Sequence, residues 1–305
     1  MGIPRFNIVY ADKEDNIFYM SNALIPLRDT NFNWKLTLPG NTSKTKTNGY
    51  YSFKDLPQLE NPISGYIFNT NNSPFNCTEK LYNLKEENFP KSFGYREKFN
   101  NRSLRFEKLI DSYEKINYED FLTIKYDQEY ANPIFCPFKI NKIFEVSVND
   151  SSEVEDILSI IQSWNRKANV DNIGAAQFSI FYKNLRKKLK KIKFDFDSEI
   201  PDSLLVESLQ KTKSQILGSF DNLNISLGEY QKHVRAEIEI PIGGLVDMIA
   251  ESSSSKYKDG MVKIVKGDSY IMLVKFGDEL PEIETVLPYG ISNNPKSVHF
   301  TDQMN

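Results

Sequence analysis

Over the first seventy-odd residues, short apolar runs alternate with polar breaks in a way that predicts sheet strands. VY, IFYM and YIFN, ending at Tyr10, Met20 and Asn69, are such runs. DKEDN separates the first two, and the long polar loop LPGNTSKTKTNGYYS, around Gly40 and Gly49, precedes the third. From Lys91 to Phe220 the pattern turns helical. Arg105, Phe106, Leu109, Ile110 and Tyr113 follow a period of about 3.6. Ser151 or Ser152 is placed to cap a helix through EVEDILSIIQSW, and Pro201 opens another that runs to Gly218. From Ala236 onward EIEIPIGG, MVKIV and SYIMLVKF read as strands, and the serine run Ser252 to Ser255 reads as a loop. The pattern predicts an α+β chain in three parts: strands and a polar loop over 1–90, a mainly helical segment over 91–220, and a β-rich segment over 221–305.

Composition excludes more than it selects. An apolar content of 40% over 305 residues is enough for a sizeable core, which argues against disorder. A net charge of −3 gives no general attraction for nucleic acid or an anionic membrane. The one basic cluster, RKKLKKIK from Arg186 to Lys193, carries Leu185, Leu189 and Ile192 near helical spacing and reads as the solvated face of a helix. No apolar run approaches the roughly twenty residues of a membrane span, and no signal peptide is recognisable at the start. Cys77 and Cys136 lie far apart without metal spacing, so a disulfide and two free thiols are both open. The two histidines, His233 and His299, sit beside no evident nucleophile or ligand cluster, and ordinary packing suits both.

The stretch with most chemistry is NPISGYIFNTNNSP, Asn61 to Pro74. Pro62, Ser64 and Gly65 mark a turn, Tyr66 to Phe68 an apolar strand, and Asn69, Asn71 and Asn72 leave that strand before Pro74. A neutral amide at a strand end can donate to a developing oxyanion. Asparagine also fills turns for purely local reasons, because its side chain bonds nearby backbone.

Four blocks in one order resemble the penicillin acylase family of N-terminal-nucleophile amidohydrolases, and in particular its acyl-homoserine-lactone acylase branch. They are GIPRFNIVYADKEDNIFY (Gly2 to Tyr19), NPISGYIFNTNNSP, the pair Arg102 in NRSLRFEKLI and Trp164 in SWNRKANVDNIGAAQF, and the ending LPYGISNNPKSVHFTDQ from Leu287 to Gln303. LPQ at Leu56 to Gln58 and the terminal SVHFTDQ resemble the acyl-homoserine-lactone branch. The resemblance implies part of a four-layer αββα fold, two antiparallel sheets covered by helices, with the C-terminal strands returning to the sheet core.

The resemblance also implies an activity: cleavage of N-acyl amide bonds through an acyl-enzyme on an N-terminal serine, exposed by self-cleavage and activated by its own α-amino group. Asn71 matches the asparagine that forms half of the oxyanion hole. Arg102 matches the arginine beside it, with Arg105 as the alternative if the alignment slips. On this reading the nucleophile, the α chain and the first part of the β chain lie upstream of Met1, so the chain is a C-terminal portion of a zymogen and inactive alone. Ser21 superficially resembles a mature β-chain start, but Met20 precedes it where the family has glycine, and NIFYMSNALIP reads as a strand and its exit. Phe68 and Phe75 flank the asparagines and read as core before acyl pocket. Some relatives bind a structural calcium shortly after the NNSP block; here FNCTEKLYN offers Glu79 alone, so no metal or other cofactor is expected. The implied partners are an N-acylated small molecule and the missing chain, in a periplasmic or secreted setting. A non-catalytic, partner-binding member of the same fold and a generic binding module for polar ligands are the competing classes.

Overall fold

The computed structural model describes residues 5–95, 98–147 and 153–304. Its contacts divide the chain into two compact units, Met1–Ser103 with Phe276–Pro281, and Leu104–Lys275 with Glu282–Asn305.

The first unit is built on a three-stranded antiparallel sheet, β1 (Phe6–Ala11), β2 (Ile17–Asn22) and β3 (Gln58–Glu60), in the order β1-β2-β3. Asp12 closes the β1–β2 turn, its carboxylate accepting the Glu14 and Asn16 amides at 3.0 Å, while Asp15 takes the left-handed conformation at φ 62°. These two strands follow the predicted runs. The third strand does not. Tyr66 to Phe68 is irregular, because its backbone groups bond locally: the Phe68 amide donates to the Cys77 carbonyl at 2.8 Å and the Thr78 hydroxyl to the Tyr66 carbonyl at 2.7 Å. The third strand is instead Gln58–Glu60, whose partner register begins at Glu60 opposite Phe18. Met20, Ile25, Leu56, Phe75, Phe93 and Tyr95 form a small core, half of it aromatic, with Tyr51 edge-on to Phe93 at 4.5 Å.

The second unit has the larger core. Helices α1 (Asn101–Ile110), α2 (Tyr118–Lys125), α3 (Glu155–Ser163), α4 (Ala175–Lys191), α5 (Asp202–Leu217) and α6 (Leu227–Tyr230) run in chain order, α1 starting at the end of the first unit. α5 follows Pro201 and ends at Gly218, as the sequence predicts. The capping serines expected before α3, Ser151 and Ser152, lie outside the described residues. Ile157, Ile161, Phe181, Leu185, Leu189, Leu205 and Leu209 are fully buried where α3, α4 and α5 meet. Ile192 does not join them; it lies past the end of α4 and is half exposed. On α1 the buried face carries a charge, since Arg105 is 9% exposed and Tyr113 lies beyond the helix.

The strands of this unit are β4 (Gln231–Arg235), β5 (Ile238–Pro241), β6 (Ser252–Lys256), β7 (Val262–Gly267), β8 (Ile271–Lys275) and β9 (Glu282–Val286). β4 to β7 make one sheet, β5-β4-β7-β6, in which β4 and β7 are parallel and the other pairs antiparallel; β8 and β9 form a separate hairpin. The serine run is therefore a strand, not a loop. Its backbone pairs with β7 through a register shift at Ser253/Ser254, so tertiary pairing overrides the weak β preference of serine.

Trp164 explains one of the quoted blocks. It is 3% exposed, donates from Nε1 to the Lys167 carbonyl at 2.7 Å and packs 4.8 Å from Phe178. Gly174, at φ 99°, lies so close that a Cβ there would sit 2.6 Å from the Trp164 Cβ. Both cysteines are free thiols, and burial pushes the Cys77 thiol up to about 12.

Candidate active site

The asparagine-rich segment is shaped from β3 onward by amides acting as fixed tethers. Asn61, left-handed at φ 44°, accepts the Ile17 amide at 2.8 Å and donates to the Asn16 side chain at 3.1 Å. The predicted turn follows, with the Gly65 amide on the Pro62 carbonyl at 2.9 Å and Gly65 at φ 75°.

Over Asn69 to Asn72 one asparagine turn is interlocked with a second side-chain amide that bonds back to the chain before it. The Asn69 side-chain oxygen accepts the Asn71 amide at 3.0 Å, and that of Asn72 accepts the Thr70 amide at 2.7 Å. Asn7 on β1 donates to the Asn69 side chain at 3.0 Å and to the Asn72 carbonyl at 3.3 Å, tying the turn to the sheet. From the other side Asn100 donates to the Thr70 carbonyl at 2.8 Å while its own oxygen caps α1 by accepting the Ser103 amide at 2.8 Å. Asn69 and Asn72 thus hold the turn through their side chains. Asn7, Thr70 and Asn100 are the parts sequence reasoning missed. The N-x-x-S spacing of Asn100 and Ser103 was a usable cap signal, and a lone asparagine inside FNIVY was another.

Asn71 is what this lattice presents. It sits at φ 61°, a left-handed conformation asparagine tolerates better than most residues, and its side chain is exposed. Arg102, in the first turn of α1, donates from Nη1 to the Asn71 Oδ1 at 3.2 Å. A guanidinium has no acceptor, so the amide oxygen must face it and the Asn71 NH2 is turned away. Asn71 and Asn72 line a cleft of about 580 Å³ with Arg5, Asn7, Ser21, Tyr95 and Lys98. The Asn72 Nδ2 is buried and makes no hydrogen bond among the described residues.

The alternative arginine is occupied elsewhere. Arg105 makes a two-bond contact with Asp127, at 3.0 and 2.7 Å, and a third bond to Glu129 at 3.0 Å. Ser21 is 1% exposed inside β2, with its amide on the Pro57 carbonyl at 2.9 Å and its hydroxyl on the Tyr95 hydroxyl at 3.0 Å. Phe68 and Phe75 are both buried. His233 is buried on β4, stacked 4.7 Å from Tyr289 and bonded to the Pro288 carbonyl, whereas His299 is half exposed and pairs with Asp302 at 2.7 Å. Glu79 is exposed, and among the described residues no three His, Cys, Asp or Glu side chains are grouped to hold a metal ion. No helix among the described residues is long and apolar enough to cross a membrane.

The penicillin amidase family profile matches residues 1–305. The chain belongs to the penicillin amidase family. Among curated members, it is 41% identical to the penicillin G acylase of Escherichia coli over 68 residues, 22% of this chain and 8% of that protein. It is 22% identical to the acyl-homoserine lactone acylase PvdQ of Pseudomonas syringae pv. syringae (strain B728a) over 173 residues, 51% of this chain and 22% of that protein. A solved structure, a thermostable penicillin G acylase from Alcaligenes faecalis, aligns over 99% of this chain and 62% of its own, with TM-score 0.55 at 14% identity. The mixed α+β arrangement is therefore the N-terminal-nucleophile hydrolase fold of the penicillin amidase family, and the chain spans less than two thirds of the relatives it matches.

Proposed function

We propose that this chain supplies the oxyanion-binding half of an N-acyl amide hydrolase whose nucleophile, an N-terminal serine, belongs to polypeptide upstream. The serine hydroxyl adds to the amide carbonyl with its own α-amino group as base. The carbonyl oxygen becomes an oxyanion that accepts a hydrogen bond from the Asn71 NH2 and a second from an upstream backbone N–H. The amine leaves with a proton, and water hydrolyses the acyl-serine. Arg102 is the positioning residue: by donating to the Asn71 Oδ1 it fixes which end of the amide faces the substrate.

The observation that carries this reading is the 3.2 Å contact between Arg102 and Asn71 at the edge of a cleft, in a chain of this family. A second observation favours the missing partner. Phe6, Ile8, Val9 and Tyr10 on β1 are 39–56% exposed, an apolar strand surface of the kind a further chain covers. Among substrates, a long-chain acyl-homoserine lactone is favoured over an arylacetyl amide by the LPQ and SVHFTDQ segments.

The test is hydrolysis of both substrate types by this chain alone and by a polypeptide extended upstream through a self-cleaving Gly–Ser junction. Activity is expected only in the extended, cleaved form, and Asn71→Ala should lower its kcat by about a hundredfold to a thousandfold. Activity of this chain alone would overturn the assignment of the nucleophile, and silence of both would favour a non-catalytic, partner-binding member of the fold.

A further inference from the structure

The basic run that begins at Arg186 takes no part in the Asn71 cleft, and in the second unit it adjoins a site of its own. α4, α5, β6 and the segments at 218–220 and 257–262 enclose a groove of about 710 Å³. Lys183 and Lys187, one turn apart on α4, line it together with Lys211 on α5 and Lys256 on β6. The lining holds no aspartate or glutamate among the described residues.

Two other lysines of the same helices are paired. Lys188 bonds Glu207, and Lys213 bonds Asp156 at 2.7 Å. The four groove lysines have no carboxylate partner among the described residues. Two lysines four residues apart repel and weaken a helix, so folding alone gives no reason to gather them here. Lys183 is also held in place: its Nζ donates to the Ser254 Oγ at 3.2 Å and lies 5.6 Å over the Tyr230 ring. Crowding of its ammonium by the groove walls, with no carboxylate to offset it, holds its pKa below the ordinary lysine value.

We propose that this groove binds a small polyanion carrying two or more phosphate or sulfate groups, with Lys183 and Lys187 as the central contacts and Lys211 and Lys256 closing on it from α5 and β6. Such a ligand supplies the countercharge the four ammonium groups lack. A membrane surface fits less well, because Leu185 and Leu189 are fully buried and leave the basic run no apolar face to insert. A nucleic acid fits less well too, given the net charge of −3.

The experiment is calorimetric titration of this chain with inorganic pyrophosphate. One saturable site is expected, weakened by added salt. Lys183→Gln and Lys187→Gln should each weaken binding about tenfold or more, and Lys211→Gln by less. None of these lysines belongs to the apolar core, and Lys190→Gln, on the same helix but outside the groove, should change nothing. Absence of saturation, or an equal loss in Lys190→Gln, would overturn the proposal. So would tighter binding of single-stranded DNA or phosphatidylserine vesicles than of pyrophosphate.

Discussion

Around Asn71 the backbone is held by side-chain amides and hydroxyls, whereas around Phe181 it is held by repeating helical bonds and apolar contact. The first arrangement fixes a single exposed side chain in a left-handed conformation with tethers from β1, from the asparagine that caps α1 and from within the turn. The second buries whole side chains and presents nothing. A polar lattice positions a group at the surface with little buried area, and an apolar core yields stability without display.

The largest effect should therefore come from the core. Phe181→Ala removes a fully buried ring between α3, α4 and α5, and should cost about 3–5 kcal/mol in a denaturant melt. A loss below about 1 kcal/mol would mean that this core is loosely packed and that the contrast with the asparagine lattice is weaker than drawn.

The same contrast explains what was legible in the sequence. α5 could be read to its ends because proline and glycine bracket it, and β1 and β2 because their apolar runs are local. Tyr66 to Phe68 misled, since its composition says strand while its backbone groups are taken by Cys77 and Thr78. The serine run misled in the opposite sense, because its strand depends on β7 and no local pattern reports a distant partner. The contact between Asn71 and Arg102 was anticipated only through family resemblance. Local chemistry allowed an ordinary turn, and the contact spans 31 residues. Asn7 and Asn100 stayed hidden because their task is to tether, which leaves no signature in either residue type.

The two arginines of α1 sharpen the comparison. Arg105→Met strands Asp127 and Glu129, whose side chains are 12% and 26% exposed, and should cost about 3 kcal/mol. Arg105→Lys should recover only part, because an ammonium cannot span both carboxylate oxygens of Asp127 as the guanidinium does. Arg102→Met should cost less than about 1 kcal/mol, as expected for an exposed polar contact. In the extended enzyme the order reverses, with Arg102→Met lowering kcat and Arg105→Met leaving it near its starting value once folded. Equal effects of the two on both readouts would erase the distinction between a positioning arginine and a structural one.

Smaller still is the backbone cost at Asn71. Asn71→Ala places a Cβ without a compensating amide at φ 61° and should destabilise by about 1 kcal/mol. Asn71→Gly tolerates that φ and should be nearly neutral to the melt. Both remove the NH2, so both should abolish the same share of activity in the extended enzyme. A variant pair that tracked stability instead of the amide would assign Asn71 to the lattice, with Asn69 and Asn72.

The smallest effect belongs to a cap in the second unit. Ser226 and Glu229 close the start of α6 reciprocally, the Ser226 amide donating to the Glu229 Oε2 at 2.7 Å and the Glu229 amide to the Ser226 Oγ at 3.2 Å. Hydrogen bonds from Ser226, its amide first and its hydroxyl second, hold the Glu229 carboxyl below its ordinary pKa. A carboxyl lowered by folding adds stability that is fully present above its unfolded pKa and is lost as pH falls through the folded one. Stability should therefore decline on the acid side of the ordinary glutamate range, and Glu229→Gln should flatten that part of the profile. Since Glu229 is exposed and α6 is one turn long, the difference at neutral pH should not exceed about 1 kcal/mol. A profile unchanged by the substitution would place the acid sensitivity in other carboxyls, among which Asp156, paired with Lys213 and likewise lowered, is the next to replace.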